Sequence, residues 1–259
     1  MSNSVLRAVR ILELLAASEK PLTLTQISEE LGLPKSTAHG LLRSLTTTSF
    51  LEMPEPTTYA IGLRTFEVGA AYTRRAGAVG VVAPELVALT RLLGVTSHYA
   101  VLDGPDAVYL CKEDPPGLGV QLASSVGARL PADVTAVGKV CLAWLDDATV
   151  EQHVGRAAEA DPDGAWLAGL RDQLAAVREQ GHAVDEGEAA AGIRCVAAPV
   201  FDMNGPRGAI GVSYLLGAST AASTPGDGIA ASAVGDGIAA EVMAAAARVT
   251  AQLGATVRR

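Results

Sequence analysis

The chain has 259 residues, enough for one or two domains. Its 20 basic and 28 acidic residues give a formal net charge of −8, and such a charge, if spread over the whole chain, argues against nucleic-acid binding. Hydrophobic residues make up 49% and charged residues 19%, which excludes a wholly disordered chain. No apolar stretch reaches the roughly 18 residues of a membrane span, and the three scattered cysteines fit neither a disulfide framework nor a zinc site, so we expect a cytoplasmic protein.

The charge is unevenly distributed along the chain. Residues 1–75 hold 8 basic and 7 acidic residues, a net charge of +1, whereas residues 76–259 hold 12 and 21, a net charge of −9. A near-neutral first part followed by a strongly acidic second part predicts two domains with different partners.

The first two predicted helices lie before residue 32. Apolar residues recur three and four positions apart between residues 5 and 16, which predicts an amphipathic helix with Ser4 as its N-cap. Thr25 can cap a short helix over 26–31, and Gly32 then supplies a tight turn.

A third helix is expected to begin at Lys35 or Ser36, directly after this turn. Two helices joined by a short Gly-containing turn are typical of a helix-turn-helix, in which the second helix enters the major groove of DNA. Hydroxyl, histidine and arginine side chains on its polar face can bond to phosphates and base edges. A small three-helix domain without a DNA-binding role is the alternative. The candidate DNA-binding residues are Thr25, Lys35, Ser36, Thr37, His39, Gly40 and Arg43.

A β-hairpin is predicted after the third helix. Short strands over 50–53 and 58–61 flank the Pro-rich turn 54–57, and a hairpin in this place is a wing. A further short helix over 65–73 leads into the second domain.

The second domain is predicted to be mixed α+β with an antiparallel sheet, which is typical of small-molecule sensor domains. Its predicted helices are 81–93 with Gly94 as C-cap, 136–145 capped by Thr135, and 165–180 capped by Asp163. Its predicted strands are 96–102, 108–112, 120–124, 182–185, 195–201 and 209–215. The repeated Gly-Asp-Gly-Ile-Ala-Ala at 226–231 and 235–240 lies in a Gly/Ala-rich stretch, which predicts a flexible linker and a weak terminal helix.

Four stretches in this order and spacing resemble the IclR family of bacterial transcription regulators. They are LRAVRILELLA (6–16), LTLTQISEELGLPKSTAHGLLRSL (22–45), LPADVTAVGKVCLA (130–143) and DEGEAAAGIRCVAAPVFDMNG (185–205). The resemblance implies a winged helix-turn-helix over 1–64, a linker helix over 65–78, a GAF-like effector-binding domain over 79–216, and a Gly/Ala-rich linker with a C-terminal helix over 217–259. It also implies homodimers or homotetramers on double-stranded operator DNA, with a small organic metabolite altering DNA affinity.

The resemblance also implies an effector pocket. Its residues map onto Leu122, Leu130, Ala136, Val137, Asp185, Cys195, Gly211 and Ser213. Backbone N–H groups at a helix start, here Ala136 and Val137, can bind a carboxylate. Gly211 stands where some small-acid-sensing members have a hydroxyl residue. The space gained predicts an effector larger or less polar than a two-carbon acid, such as an aromatic or longer metabolite.

Two further positions depart from the family pattern. Gly40 stands where members often have a basic residue, which puts one DNA contact in doubt and weakens the helix by about 1 kcal/mol relative to Ala. Ser49 stands where members usually have Gly before the first wing strand, so we expect a slightly different placement of the wing.

The leading hypothesis is a ligand-responsive DNA-binding regulator, a repressor rather than an activator, with no cofactor and no metal. The alternative is an enzyme acting on a small metabolite through the second domain, although the chain has no Gly-x-Ser-x-Gly or His-Glu-x-x-His motif. A protein-interaction module that has lost its ligand is the third possibility.

Overall fold

The computed structural model describes residues 3–117, 124–159, 163–215 and 231–254. The chain divides into two compact units, Met1–Ala76 and Gly77–Arg259. Within the described residues no single helix is long and apolar enough to cross a membrane. The consecutive helices Leu63–Arg75 and Ala78–Leu93 reach the required length and apolar composition only as a pair, and the pair is bent.

The first unit is built from helices and a small antiparallel sheet. Its elements are α1 (Asn3–Ala17), β1 (Leu22–Thr23), α2 (Leu24–Glu30), α3 (Lys35–Thr47), β2 (Leu51–Glu52), β3 (Thr58–Ile61) and α4 (Leu63–Ala76). The strands lie in the order β1–β3–β2. Its core consists of Ile11, Leu15, Ile27, Leu33, Ala38, Leu42 and Leu51. This is the predicted winged helix-turn-helix architecture, with β1 as an addition that the sequence did not predict.

Two predicted N-caps in the first unit are wrong. Ser4 lies inside α1, which begins one residue earlier. The N-cap of α2 is Thr23 rather than Thr25: the Thr23 hydroxyl accepts a hydrogen bond from the Gln26 N–H at 3.3 Å, and the Gln26 side-chain oxygen accepts one from the Thr23 N–H at 2.9 Å. This reciprocal capping box satisfies two backbone donors, and pairing of Thr23 with Thr58 sets the helix start two residues earlier than predicted.

The second unit is a six-stranded antiparallel sheet covered by helices. Its elements are α5 (Ala78–Leu93), β4 (Thr96–Asp103), β5 (Asp106–Glu113), β6 (Arg129–Pro131), α6 (Ala136–Leu142), α7 (Asp147–Glu159), α8 (Ala165–Gln180), β7 (Ala183–Glu186), β8 (Ile193–Asp202), β9 (Gly205–Leu215) and α9 (Ala231–Gln252). The strand order is β6–β5–β4–β9–β8–β7. One core cluster joins the sheet to α5 and α9, and a second joins it to α6, α7 and α8.

Several predicted elements of the second unit need correction. The helix capped by Thr135 is confirmed but ends at Leu142, and α7 and β6 were not predicted. The N-cap of α8 is Gly164, with a φ of 68° and no side-chain hydrogen bond, so the prediction of Asp163 as the cap is wrong. Of the predicted strand 120–124, residues 120–123 lie outside the described residues, and Ser124 lies in no strand.

The terminal helix is a full part of the second unit, so the prediction of a weak helix is wrong. Ile238, Val242 and Val249 of α9 are completely buried against the sheet and α5. The Phe201 N–H donates a hydrogen bond to the Thr250 hydroxyl at 3.1 Å. Burial of this apolar face offsets the low helix propensity of its glycines. The repeat at 235–240 lies in α9, whereas the predicted linker and the repeat at 226–231, except Ala231, fall outside the described residues.

Candidate functional site

The exposed face of α3 is the first candidate site. Ala38 and Leu42 point into the core, and the opposite face carries no acidic residue, because α3 contains no Asp or Glu. Five candidate residues are exposed there, namely Lys35, Ser36, His39, Gly40 and Arg43. Thr37 is half-buried on α3, and Thr25 is exposed on α2. The face therefore offers two cations and several neutral hydrogen-bonding groups to a polyanion.

The space above Gly40 is open. A Cβ added at Gly40 would meet no atom within 4 Å other than the backbone of the helix itself. A longer side chain, including a basic one, therefore fits at this position without disturbing the core.

Ser49 departs from ordinary backbone geometry just before the wing. Its φ is 61°, in the left-handed region that favours glycine. The Ser49 carbonyl accepts the Arg64 N–H at 3.1 Å, which ties the end of α3 to the start of α4. The position thus has the backbone conformation of a glycine, so the substitution adds strain locally.

The second candidate site is a cavity of about 30 Å³ between the sheet, α6 and the segment 187–193. Six residues of the predicted pocket line it: Leu130, Ala136, Val137, Asp185, Cys195 and Ser213. Seven lining residues were not predicted, namely His98, Tyr109, Ser124, Thr135, Ala189, Ala190 and Ile193. Gly211 lies beside the cavity, in contact range of Val137, and Leu122 lies outside the described residues.

Strand register explains why distant residues meet at this cavity. Asp185 on β7 is opposite Cys195 on β8, which is opposite Ser213 on β9. The Cys195 Sγ and Ser213 Oγ atoms are 3.0 Å apart. Burial raises the pKa of the Cys195 thiol to about 12, so this group is a neutral part of the wall at pH 7.

Asp185 holds one wall of the cavity. Its Oδ1 accepts backbone N–H groups of Gly187, Glu188 and Ala189 at 3.0, 2.7 and 3.4 Å. Burial, with 1% of the residue exposed, raises the pKa of this carboxyl, and the N–H donors oppose that rise. Asp185 therefore fixes the loop whose next residues, Ala189 and Ala190, line the cavity.

An ion pair fixes the same loop from α6. The Lys139 Nζ lies 2.6 Å from both carboxylate oxygens of Glu188, and Lys139 is only 3% exposed while the Glu188 side chain is about half-exposed. The pairing explains how a buried lysine is tolerated on a helix that faces the cavity.

His98 was not predicted to belong to the site. It is 1% exposed, and its ring lies 5.1 Å from the Tyr109 ring in an edge-on arrangement. Its Nδ1 has no hydrogen-bond partner among the described residues. Burial and the nearby Lys112 ammonium lower the pKa of His98 to about 3, so the imidazole is neutral. In the sequence His98 is one of three polar residues that open the predicted strand 96–102, so nothing local distinguishes it as a site residue.

The prediction that Gly211 leaves extra space is wrong. Gly211 is opposite His98 across β4 and β9, and a Cβ at position 211 would lie 2.6 Å from the His98 Nε2. The imidazole already fills the space that a side chain at 211 would take. A larger effector therefore cannot be inferred from the glycine.

Among the described residues there is no group of three or more His, Cys, Asp or Glu side chains arranged to hold a metal ion. The chemistry of the cavity is that of hydrogen bonding by hydroxyls, an imidazole and a carboxylate within an apolar wall.

Two family models match the chain. Residues 4–59 match the IclR helix-turn-helix domain, and residues 70–223 match the C-terminal domain of the bacterial transcriptional regulator IclR. The HTH-type transcriptional regulator XynR of Escherichia coli is 36% identical over 203 residues, covering 77% of this chain and 80% of that one. The transcriptional repressor IclR of E. coli is 31% identical over 205 residues, covering 77% and 74%.

Solved structures match over nearly the whole chain. An IclR homologue from Microbacterium hydrocarbonoxydans, complexed with 4-hydroxybenzoate, aligns with a TM-score of 0.78 at 20% identity and covers 98% of this chain and 100% of that one. The IclR of Thermotoga maritima aligns with a TM-score of 0.71 at 22% identity, covering 98% and 100%. At these identities the likeness establishes the fold, including the antiparallel sheet of the second unit with its helices.

Proposed function

The chain belongs to the IclR family of bacterial transcriptional regulators, and on that premise we propose that it binds double-stranded operator DNA through α3 and responds to a small organic effector in the cavity of the second unit. Effector binding alters the affinity for the operator, and repression is the expected outcome. Such coupling requires only that the effector bind one arrangement of the protein better than another.

The observation that carries the DNA-binding proposal is the exposed face of α3. It follows a short turn at Gly32, its buried side is fixed by Ala38 and Leu42, and its outer side presents Lys35 and Arg43 with no carboxylate on the helix. We assign DNA contacts to Thr25, Lys35, Ser36, Thr37, His39, Gly40 and Arg43. Cationic side chains would bind phosphate or guanine, and the hydroxyls would bind phosphate.

The cavity supports a small-molecule effector. Its wall combines hydroxyls and a carboxylate with apolar side chains, a mixture that orients a ligand by a few polar contacts. We propose Leu130, Ala136, Val137, Asp185, Cys195 and Ser213 as effector-binding residues, together with the neighbouring Gly211 and with Leu122, which lies outside the described residues. The complex of a family homologue with 4-hydroxybenzoate supports an organic acid as the ligand class.

The exposed apolar residues of the first unit support a homodimer or homotetramer. Val5 and Leu6 of α1 and Leu63, Phe66 and Tyr72 of α4 are all exposed, and Phe66 reaches 71%. Several large exposed apolar side chains in one small unit are typical of a protein that forms protein–protein interfaces. A regulator of this kind acts on chromosomal DNA, so we place it in the cytoplasm.

We propose that the functional boundaries follow the family resemblance, with the DNA-binding domain over 1–64, the linker helix over 65–78 and the effector-binding domain over 79–216. The helix of the last segment, 217–259, completes the sensor core through α9.

The alternative of an enzyme is not supported by the cavity. Cys195 lacks the low pKa that a thiolate nucleophile needs, because burial raises the pKa to about 12. Among the described residues, no carboxylate accepts a hydrogen bond from the Nδ1 of the cavity histidine, as a general base would require.

The experiment is a DNA-shift titration on the region upstream of the protein's own gene, with and without glyoxylate, pyruvate or 4-hydroxybenzoate. We expect a shift by the wild type that at least one acid weakens. Arg43→Ala should bind roughly 5- to 150-fold more weakly, the equivalent of one good base or phosphate contact. Gly40→Lys should bind more tightly, because the position is open and gains a cation.

Arg91→Ala is the matched control, because Arg91 is an exposed arginine of the second unit. Its DNA affinity should equal that of the wild type. No shift by the wild type at micromolar protein and low salt, or equal losses in Arg43→Ala and Arg91→Ala, would contradict the proposal.

A further inference from the structure

Position 211 and position 98 compete for one volume beside the effector cavity. The two residues are directly opposite on adjacent strands β9 and β4, and both lie on the side of the sheet that faces α6. A Cβ at 211 would be 2.6 Å from the His98 Nε2, 3.1 Å from the Val137 Cγ1 and 3.2 Å from the Val196 carbonyl oxygen. Only the contact with His98 is closer than atoms can approach.

The imidazole has little freedom to move away. His98 is almost completely buried, and its ring lies edge-on against Tyr109, which is also buried. A buried aromatic contact of this kind fixes the ring orientation. The two positions therefore cannot both carry a full side chain in this arrangement.

Two polar atoms at this end of the cavity have no hydrogen-bond partner among the described residues. They are the Nδ1 of His98 and the Oγ of Ser124, and both residues line the cavity. Buried polar atoms without partners are costly, and a ligand that bonds to them recovers that cost.

From these contacts we infer that His98 is the specificity-determining residue of the effector cavity, matched to Gly211, and that it restricts the effector to a compact oxo or hydroxy acid. The imidazole fills the space above Gly211, which closes the cavity on that side to an aromatic ring. It also offers a hydrogen bond to a carbonyl, hydroxyl or carboxylate oxygen. The inference rests on the proposed function, since it concerns the same cavity.

The charge state of the ring fits this role. With a pKa of about 3, His98 stays neutral at physiological pH and presents one donor and one acceptor rather than a cation. The buried Asp185 carboxyl, which also lines the cavity, disfavours a ligand with several negative charges. Both features favour a compact ligand with a single carboxylate.

The test compares the wild type with His98→Ala, Gly211→Ser and the double variant, using glyoxylate as the compact probe and 4-hydroxybenzoate as the bulky one. Calorimetry gives the ratio of the two affinities for each protein. His98→Ala should shift that ratio towards 4-hydroxybenzoate by at least about tenfold, since even one methylene group of pocket volume changes selectivity by 10- to 200-fold. The double variant should lose most of that shift, because the serine side chain at position 211 occupies the volume that the removed imidazole leaves.

Thermal unfolding supplies a readout that needs no ligand. Gly211→Ser should lower the melting temperature clearly when His98 is present and much less when residue 98 is alanine. Asparagine is smaller than histidine but still polar, so His98→Asn should give an intermediate affinity ratio. This variant replaces His98→Ala in the comparison if the alanine variant does not fold.

Three results would overturn the inference: an affinity ratio for His98→Ala within twofold of the wild type, no binding of either acid to any variant, or equal destabilisation by Gly211→Ser in the two backgrounds. The DNA shift of the ligand-free wild type separates these failures from failure of the proposed function. If DNA is bound while His98 has no effect on selectivity, only the inference about His98 is wrong.

Discussion

Ser49 shows how a single residue departs from what its backbone requires. Its φ of 61° lies in the left-handed region, which costs a residue with a Cβ roughly 1–2 kcal/mol. Ser49→Gly removes that cost but increases the conformational entropy of the unfolded chain. We therefore expect a net stabilisation of about 0.5–1 kcal/mol. Hydrogen exchange of peptides from residues 1–76 measures it. Ser49→Ala keeps the Cβ and should show no gain; an equal gain in both variants would contradict the explanation.

His98 predicts a defined pH dependence. Its pKa is lowered from 6.5 to about 3 in the folded protein, so between these values the unfolded chain binds a proton that the folded one does not. The contribution of His98 to stability is complete above pH 6.5 and falls as the pH decreases towards 3. The limiting slope is about 1.4 kcal/mol per pH unit.

Urea unfolding of wild type and His98→Asn, followed by the fluorescence of Trp144 and Trp166 in the second unit, tests this dependence. The wild type should lose stability relative to the variant as the pH falls below 6.5. Other titrating groups are common to both proteins and cancel. If the unfolding free energies of the two proteins changed in parallel between pH 7 and pH 4, protonation of His98 would not destabilise the folded protein, and the explanation would be wrong.

The capping box of α2 allows the stability contributions of two neighbouring threonines to be compared. Thr23 makes the capping hydrogen bonds, whereas Thr25 is exposed inside the helix. Thr23→Ala should destabilise the first unit by about 1 kcal/mol, and Thr25→Ala by less than about 0.5 kcal/mol. Hydrogen exchange of α2 amides measures both, and a larger effect of Thr25→Ala would restore it as the cap.

Helix α9 should be essential for the second unit. Ile238→Ala removes a completely buried side chain and should cost roughly 2–5 kcal/mol, seen as a lower urea midpoint by tryptophan fluorescence. The exposed Ala244 supplies the control, and Ala244→Ser should change stability by less than about 0.5 kcal/mol. A helix that is only loosely attached would give small effects for both.

These elements also show where sequence reasoning succeeds. Helix α3 was predicted closely because its apolar period and the preceding Gly32 turn are local signals. The glycines of α9 suggested a weak helix, because its burial depends on contacts with α5 and the sheet. The pairing of His98 with Gly211 joins residues far apart in the chain through strand register, which no local pattern encodes. Family resemblance predicted six of the residues that line the cavity, whereas the place of His98 in the cavity wall was seen only in the structure.

For the whole molecule, the uneven charge predicts that DNA binding depends on several copies. Residues 1–75 carry a net charge of only +1, and residues 76–259 carry −9. With so little attraction per copy, tight binding requires linked sites. Leu6→Glu combined with Phe66→Glu should yield a monomer by light scattering and weaken operator binding at least about 100-fold.

Met203→Glu is the control for this prediction, because Met203 is an exposed apolar residue of the second unit. It should leave both the oligomeric state and DNA binding unchanged. A monomeric variant that binds as tightly as the wild type would refute the dependence on several copies.

The central claim, that the α3 face binds DNA, is tested most directly by the affinity for the upstream duplex across a series of salt concentrations. For the wild type, the logarithm of the binding constant should fall linearly with the logarithm of the salt concentration. If Arg43 binds a phosphate, Arg43→Ala should weaken binding and reduce that slope by about 1 per bound copy. Identical affinity and slope in the two proteins, or no binding by the wild type at the lowest salt, would contradict the account.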